Sequence, residues 1–378
     1  MQCNDNHFNQ FSSFADMIDF HEQQAKNSKW VRGKVNSLTV EALDESSPLF
    51  GDLSQFDSSV SEDAVKDTAA GLGLAMRVDG MYYPLRDTAY KSLLDRAKIG
   101  GTALPKLRRE DLAGILNSCL ALFDSDALLL IRDEKISAVH SGDPRDYSIL
   151  AADELLSHLK VKLDERFPGS QFEGGYSDHA ISSGAFCFPK QRDELLEAYE
   201  KAVKASGTGT PTTKLMPGIR FTTSDVGLAS AKINALILGA SMPIQIGEMM
   251  AVEHRWQKKT SDFAAVIDNI YAKFADTIAK LEKLTTITLS YPVNAMTAIC
   301  KKLSLPKKAA MEAIQMFEMT YSGSTATAHE IFMALQEIPF ILKTDHFPQN
   351  KLLSVEELLA RTLSLRWSDY DYARTVKF

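Results

Sequence analysis

Three polar loops of this chain carry the residue types from which active sites and ligand sites are built. The loop HSGDPRDY, residues 140–147, places Asp143 and Arg145 between a strand-like run and a helix-like run. The corner TTSDVG holds Asp225, and the segment VEHRW holds His254. Carboxylates, an imidazole and a guanidinium can serve as acid, base and anion binder. If these four side chains converge, they predict an enzyme that acts on a nucleic acid or a nucleotide.

Each of these loops also has an interpretation without chemistry. Residues 222–230 lie between the strand-like runs GIRFTT and ASAKINALIL, where Ser and Asp bond their own backbone and Gly227 supplies a positive φ. We interpret this corner as a structural turn and keep a ligand role open for Asp225. His254 has no second pair of metal ligands near it and is expected to be an ordinary hydrogen-bonded histidine. The loop 140–147 fits a ligand site and a plain connection equally well.

The familiar sequence signatures of enzymes are missing. The chain has no GxxxxGK[ST] phosphate loop, no GxSxG elbow and no HExxH helix, and GLGLAM at 71–76 precedes a strand instead of opening a helix. Four separated cysteines form no CxxC pair, so we expect buried reduced thiols and neither a zinc site nor a disulfide framework. The sequence therefore predicts no catalytic set, no metal and no cofactor, and it leans against an enzyme.

Lysine and arginine concentrate in three stretches, of which Lys301-Lys302 with Lys307-Lys308 is the third. Residues 86–109 carry a local charge of +5, and residues 211–260 carry a local charge of +3. Cations that share a face bind phosphates and release counterions, and aromatic rings beside them stack on bases. The alternative is that these charges only solvate helix and strand faces. The candidates for nucleic-acid binding are Arg86, Lys91, Arg108, Arg109, Arg145, Arg220, Lys232, Arg255 and Lys258, together with Trp256.

Hairpins and amphipathic helices must position these residues. Asp79-Gly80 separates two strand-like runs, and further hairpins are predicted over 127–141, with a turn near Asp133-Glu134, and over 170–189. Because the strands come as hairpins, we predict an α+β fold with a hairpin-rich antiparallel or mixed sheet, helices, and a C-terminal helical unit. The C-terminal helices are predicted at 262–284, 292–303, 306–318, 324–337 and 354–365, the last of them starting at the capping box of Ser354 and Glu357.

The net charge of −7 belongs to one end of the chain. Residues 1–70 hold 12 acidic and 5 basic residues, and the remainder is neutral. We predict an acidic N-terminal arm and linker over 1–70, an α+β core domain over 71–258 and a C-terminal helical region over 259–378. No apolar run approaches the ~20 residues that span a bilayer, and the first residues lack the features of a signal peptide. A cytoplasmic protein without a membrane partner is expected.

Three segments resemble a known family. They are LLLIRDEKISAVHSGDPRDYSILAADELL at 128–156, GIRFTTSDVGLASAKI at 218–233 and STATAHEIFMALQEI at 324–338. They are similar to the phage/plasmid-like proteins grouped as domain of unknown function 932. Thr223-Ser224-Asp225 stands where that family has Asn-Ser-Glu, and its CtNG segment is not recognisable near 240, which indicates a divergent branch. The resemblance implies an origin on phages, plasmids or integrative elements and carries over no catalytic residue.

Three functions follow as hypotheses. The first is a DNA-transaction protein of a mobile element that binds single- or double-stranded DNA without catalysis, as a single-strand binding or annealing factor, with the acidic arm covering a basic groove. The second is a protein-interaction factor directed at a host defence protein, with the acidic arm imitating the charge of DNA. The third is an unrecognised nucleic-acid or nucleotide enzyme. A homo-oligomer is compatible with all three.

Overall fold

The computed structural model describes residues 3–207, 214–239, 243–321 and 323–378. The strands are β1 Phe8–Phe11, β2 Ser28–Lys34, β3 Thr39–Ala42, β4 Leu74–Val78, β5 Met81–Pro84, β6 Asp126–Arg132, β7 Lys135–Ser141, β8 Gln171–Asp178, β9 Ser182–Cys187, β10 Met216–Thr223, β11 Ala231–Leu238, β12 Ile244–Val252, β13 Thr288–Leu289 and β14 Ala326–Thr327. The α-helices are α1 Phe14–Lys26, α2 Glu62–Ala70, α3 Asp87–Ala97, α4 Arg109–Leu120, α5 Ala152–Arg166, α6 Arg192–Ala205, α7 Thr260–Asp268, α8 Ile270–Leu284, α9 Pro292–Lys302, α10 Lys307–Tyr321, α11 Ala328–Leu335, α12 Glu337–Thr344 and α13 Gln349–Ala360.

The largest sheet is antiparallel throughout, with the strand order β1-β8-β9-β10-β11-β12. Strands β8 to β12 are arranged in chain order, with helix α6 between β9 and β10 in the sequence, and β1 adds to one edge. One face is apolar: Ile219, Phe221 and Ile233 pack with the helices α5 and α7 in a common core. This arrangement, with helices concentrated toward the C-terminus, confirms the predicted α+β fold.

Two smaller antiparallel sheets contain the hairpins that were predicted from turn residues. Strands β3, β4 and β5 form one sheet, and β2, β6 and β7 form the other. The β4–β5 turn has φ of 52° at Asp79 and 90° at Gly80, and the β6–β7 turn has φ of 49° at Asp133 and 72° at Glu134. Two consecutive positive φ values match the right-handed twist of a tight hairpin. Local turn chemistry therefore located both hairpins correctly.

The first 70 residues take part in all three of these sheets. Strand β1 pairs with β8, β2 with β6 and β3 with β4. Met17 of α1 is fully buried, and Leu43, Leu49 and Phe56 are buried in the acidic stretch before α2. These apolar anchors give the stretch a packed position although its composition is that of a linker. The division of the chain at residues 70 and 258 stays a prediction.

The C-terminal helices enclose an apolar core that includes Phe274, Met296 and Phe332. One predicted helix is split, because α7 ends before Asn269 and α8 begins at Ile270. The helix predicted at 324–337 corresponds to α11, which begins after β14, and α12 is a further helix that follows Gln336. The last helix begins at Gln349, directly after Pro348, so Ser354 lies inside α13 and the predicted start there is wrong. Within the described residues, no helix is long and apolar enough to cross a membrane.

Candidate nucleic-acid interface

Three of the ten predicted nucleic-acid contacts are buried in ion pairs. The Arg86 side chain is fully buried and donates from Nη1 to Asp5 Oδ1 at 2.8 Å. Arg220 donates to Glu356, and Lys232 donates to Glu357. A buried cation whose partner is a protein carboxylate cannot approach a phosphate unless the pair opens. In this conformation these three side chains therefore hold the fold together.

The positions of Arg220 and Lys232 follow from strand register. Thr222 of β10 lies opposite Lys232 of β11, so Arg220 and Lys232 are diagonal neighbours on one face of the sheet. Helix α13 covers that face and brings two consecutive glutamates to the two cations. Arg220 and Lys232, which flank the TTSDVG corner, thus lie on one face of the sheet, and helix α13 packs on that face.

Three more candidates lie on α3 and at the start of α4. Lys91 is exposed on α3. Arg108 is exposed and makes a two-pronged ion pair with Asp111, at 2.8 and 3.0 Å. Arg109 is half-buried and donates from Nη2 to the carbonyl oxygen of Gly71 at 2.9 Å. The cationic groups of Arg108 and Arg109 are engaged by these partners, and the aromatic residues expected to stack bases near this stretch, Tyr82 and Tyr83, are buried.

The remaining four candidates converge on one corner. The loop after β7 meets the loop after β12, where the amide of Trp256 donates to the carbonyl of Arg145 at 3.0 Å and the amide of Gln257 donates to that of Pro144 at 3.0 Å. The amide of Ser148 donates to the carbonyl of His254 at 2.7 Å. We call residues 143–148 and 253–259 the Trp256 corner. It joins residues more than a hundred positions apart in sequence.

Trp256 is presented to solvent by an unusual backbone. Its side chain is 69% exposed, and both Trp256 and Gln257 have left-handed backbones, with φ of 60° and 57°. Left-handed conformations are costly for residues with a side chain and are concentrated at functional sites. A tryptophan side chain that stays in water also forgoes the favourable free energy of burying its apolar surface. An indole held outward at this cost is a candidate contact for a flat ligand such as a base.

Exposed cations lie on the same two loops as the exposed indole. Arg145 is exposed and bound by Asp143, with Nη2 and Oδ2 at 2.7 Å. Arg255 faces Glu253 at the longer distance of 3.8 Å. Lys258 and the following Lys259, which the sequence analysis did not select, are also exposed. Exposed ion pairs contribute only about 0–1 kcal/mol, so an incoming phosphate can replace these carboxylates.

A stack of aromatic rings supports the corner from inside. The rings of His140 and Tyr147 are parallel with centroids 3.5 Å apart, and His254 also stacks with Tyr147, with centroids 5.4 Å apart. Trp30 of β2 lies 6.0 Å from Tyr147. Tyr147 Oη donates to the carbonyl of Asp225 at 2.7 Å, which ties the TTSDVG corner to the same stack. The three polar loops of the sequence therefore do meet.

The stack is uncharged at neutral pH. Burial lowers the pKa of His140 to about 4 and also lowers the pKa of His254, while burial raises the pKa of Tyr147 far above its usual value. The Asp225 carboxylate is buried and accepts from Arg132 Nη2 at 2.5 Å. These groups are thus held in fixed partnerships that position the two loops, and they do not form an accessible acid–base pair. Among the described residues, no group of three or more His, Cys, Asp or Glu side chains is placed to hold a metal ion.

Gly227 shows why the TTSDVG corner needs a glycine. Its φ is 78°, and a Cβ at this position would lie 3.1 Å from Cε1 of His140. Sequence reasoning recognised the need for a positive φ at this residue but did not identify Trp30, His140 and Tyr147 as the supporting stack. A signal was available for Tyr147, because it is the aromatic residue of a loop that is otherwise polar.

Comparison of the chain with protein-family models, with curated proteins and with solved structures finds no match.

Proposed function

We propose that this chain binds single-stranded nucleic acid at the Trp256 corner and catalyses no reaction there. The observation that carries the proposal is the exposed indole of Trp256 among the exposed cations Arg145, Arg255 and Lys258. Stacking of one base on an aromatic side chain contributes about 1–3 kcal/mol, and every base has a face to offer. Exposed cations on the same two loops suit the phosphates that flank such a base.

The corner favours a single strand over a duplex. A base in a duplex is already stacked on its neighbours, so an indole on the surface gains little from it, whereas a splayed base of a single strand is free to stack. Binding exchanges the contact of Arg145 with Asp143, and that of Arg255 with Glu253, for contacts with phosphates. Because the displaced partners are surface carboxylates, the affinity depends strongly on salt.

The wider setting belongs to the same proposal. We propose that the binding activity serves a DNA transaction of a mobile element in the cytoplasm of its host, and the resemblance to phage/plasmid-like proteins supports this. Self-association is part of this proposal and is tested by light scattering of the protein with and without DNA. The supporting residues for binding itself are those of the Trp256 corner alone, since Arg86, Arg220 and Lys232 are occupied inside the fold.

The test is fluorescence anisotropy with a labelled oligothymidylate of about 20 nucleotides, compared with the same length of duplex, at about 50 and 200 mM salt. We expect binding of the single strand that weakens with salt. The variant Lys258→Ala should reduce the slope of log affinity against log salt by about 0.7, the value for one lost phosphate contact on a single strand.

The matched control is Arg108→Ala, which removes another exposed cation, at the N-cap of α4. It should leave the affinity and the salt slope as they are in the parent chain. Absence of binding at low salt refutes the proposal. If Arg108→Ala lowers the DNA affinity as much as Lys258→Ala does, the interface does not lie at the Trp256 corner.

A further inference from the structure

A second feature of the molecule is a cavity of about 700 Å³ under the N-terminal segment. It opens between the start of β2, the loop before α2 and the turn that joins β6 to β7. Lys26 and Lys29 line one part of it, and Asp57, Asp133 and Glu134 line another. A volume of this size is typical of sites for small organic ligands. The cavity contains none of the residues of the Trp256 corner.

The turn that forms its floor is held by charge pairs on every side. Arg132 is bound by Asp225, and Lys135, which is fully buried, is bound by Asp5 at 3.1 Å and also by Asp67. Glu134 accepts from the amide of Ser61 at 2.8 Å. The four residues of the turn, Arg-Asp-Glu-Lys, are thus fixed in place. Ion pairs or hydrogen bonds satisfy the charged groups of Arg132, Glu134 and Lys135.

Asp133 is the exception. It is only 8% exposed, its φ of 49° is left-handed, and its Oδ2 atom accepts a hydrogen bond from no described residue. Burial raises the pKa of this carboxyl, although the charges of Arg86, Arg132 and His7 and a hydrogen bond from Gln24 act in the opposite direction, so the unpaired atom is Oδ2 alone. A buried acceptor without a donor is costly in a folded protein, and such atoms mark places where a ligand supplies the donor. Because Asp133 lines the cavity, that donor can come from there.

The exposed part of the lining carries two lysines beside the carboxylate of Asp57. Lys26 and Lys29 are exposed, and Nζ of Lys29 donates to Tyr83 Oη at 2.6 Å while lying 4.8 Å from the centre of that ring. Asp57 nearby is ionised, since hydrogen bonds from Ser59 and Tyr83 and the charge of Lys29 lower its pKa to about 2. A ligand for this cavity therefore needs N–H donors for the buried end and an anionic group for the rim.

We propose that this cavity binds a nucleoside phosphate, whose base turns an N–H edge to Asp133 and whose phosphate lies between Lys26 and Lys29. Base edges carry N–H donors that pair with carboxylate oxygens, and lysines bind phosphate as point charges. A nucleotide also fills a space of this volume, whereas inorganic phosphate alone leaves Asp133 without a donor. This site is separate from the Trp256 corner and does not depend on the function proposed for it.

The experiment is calorimetric titration of the full chain with the four ribonucleoside 5′-monophosphates, each compared with its nucleoside and with inorganic phosphate. At least one nucleotide should bind about tenfold more tightly than both of its parts. Asp133→Asn and Lys29→Ala should each weaken that nucleotide about tenfold or more, and the Lys29 side chain is exposed, so its removal leaves the fold intact. The matched control is Lys201→Ala, an exposed lysine of α6 that is 73% accessible, and it should bind like the parent chain.

Three results overturn the proposal. The first is no binding of any nucleotide at millimolar concentration. The second is inorganic phosphate binding as tightly as the nucleotide, which describes an anion site without base recognition. The third is parent-like affinity in both Asp133→Asn and Lys29→Ala, which places the bound nucleotide outside this cavity. Because Lys29→Ala keeps the fold, a loss of folding in Asp133→Asn does not decide the outcome by itself.

Discussion

Replacing Trp256 with glycine should separate binding from folding. Trp256 is 69% exposed, so only about a third of the roughly 150–250 Å² of its side chain is buried against the protein. Losing that burial should lower the free energy of unfolding by ~1–2 kcal/mol. Glycine removes the cost of holding a side chain at a φ of 60°, which is also ~1–2 kcal/mol. These effects oppose each other, so the free energy of unfolding should change by less than ~1 kcal/mol. The lost stacking of one base, ~1–3 kcal/mol, should weaken binding of single-stranded DNA about 5- to 150-fold.

The assay pairs DNA affinity, from fluorescence anisotropy, with thermal unfolding followed by circular dichroism. Trp256→Phe is the control, because it keeps an aromatic face in the same backbone and should retain most of the affinity. The reasoning is refuted if Trp256→Gly binds like the parent chain. It is also refuted if the affinity and the unfolding temperature fall together, since Trp256 would then support the loop and not the ligand.

Three further predictions concern the charges and rings around the corner and the sheet. Asp143→Asn should release Arg145 and raise DNA affinity about two- to fivefold at low salt, and a drop in affinity would show that Asp143 orients Arg145 for binding. Folding lowers the pKa of His140 from 6.5 to about 4. The free energy of unfolding should therefore be highest above pH 6.5 and should decrease, by up to ~3 kcal/mol, as the pH falls toward 4. Measured by urea unfolding at a series of pH values, this decrease should be smaller in His140→Gln. Glu356→Ala leaves buried Arg220 without its carboxylate and should lower the free energy of unfolding by about 3–5 kcal/mol in urea, where a change under ~1 kcal/mol would mean that water reaches the guanidinium.

The parts of the fold that could be predicted are those specified by neighbouring residues. Asp79-Gly80 defines a hairpin because its two residues alone set the required backbone, and alternating apolar residues place the flanking strands on either side of it. The helix starting at Gln349 was misplaced for a related reason. Ser354 and Glu357 have the spacing of a capping box, yet Pro348 begins the helix earlier and the local signal was overridden.

The candidate site depended on contacts that sequence spacing does not contain. Arg145 and Trp256 were each selected, but nothing in the sequence says that their loops hydrogen-bond to each other. The local charge of residues 211–260 combined exposed Lys258 with buried Arg220 and Lys232, although only the first is available to a ligand. Strand periodicity and a distant helix decide which of these cations faces water, and a count of charges along the chain cannot.

The same argument changes the meaning of the acidic N-terminal region. Asp5 and Asp67 do meet basic residues, as the covering hypothesis expects, but their partners are Arg86 and Lys135, whose side chains are fully buried. A carboxylate that neutralises a buried cation belongs to the core, and its removal leaves that cation without compensation. Deleting the first 70 residues would also remove β1, β2 and β3 from their sheets, so it tests folding before it tests binding. The covering hypothesis is better examined by changes confined to the Trp256 corner, where Asp143 and Glu253 are surface carboxylates that compete directly with phosphate for arginine.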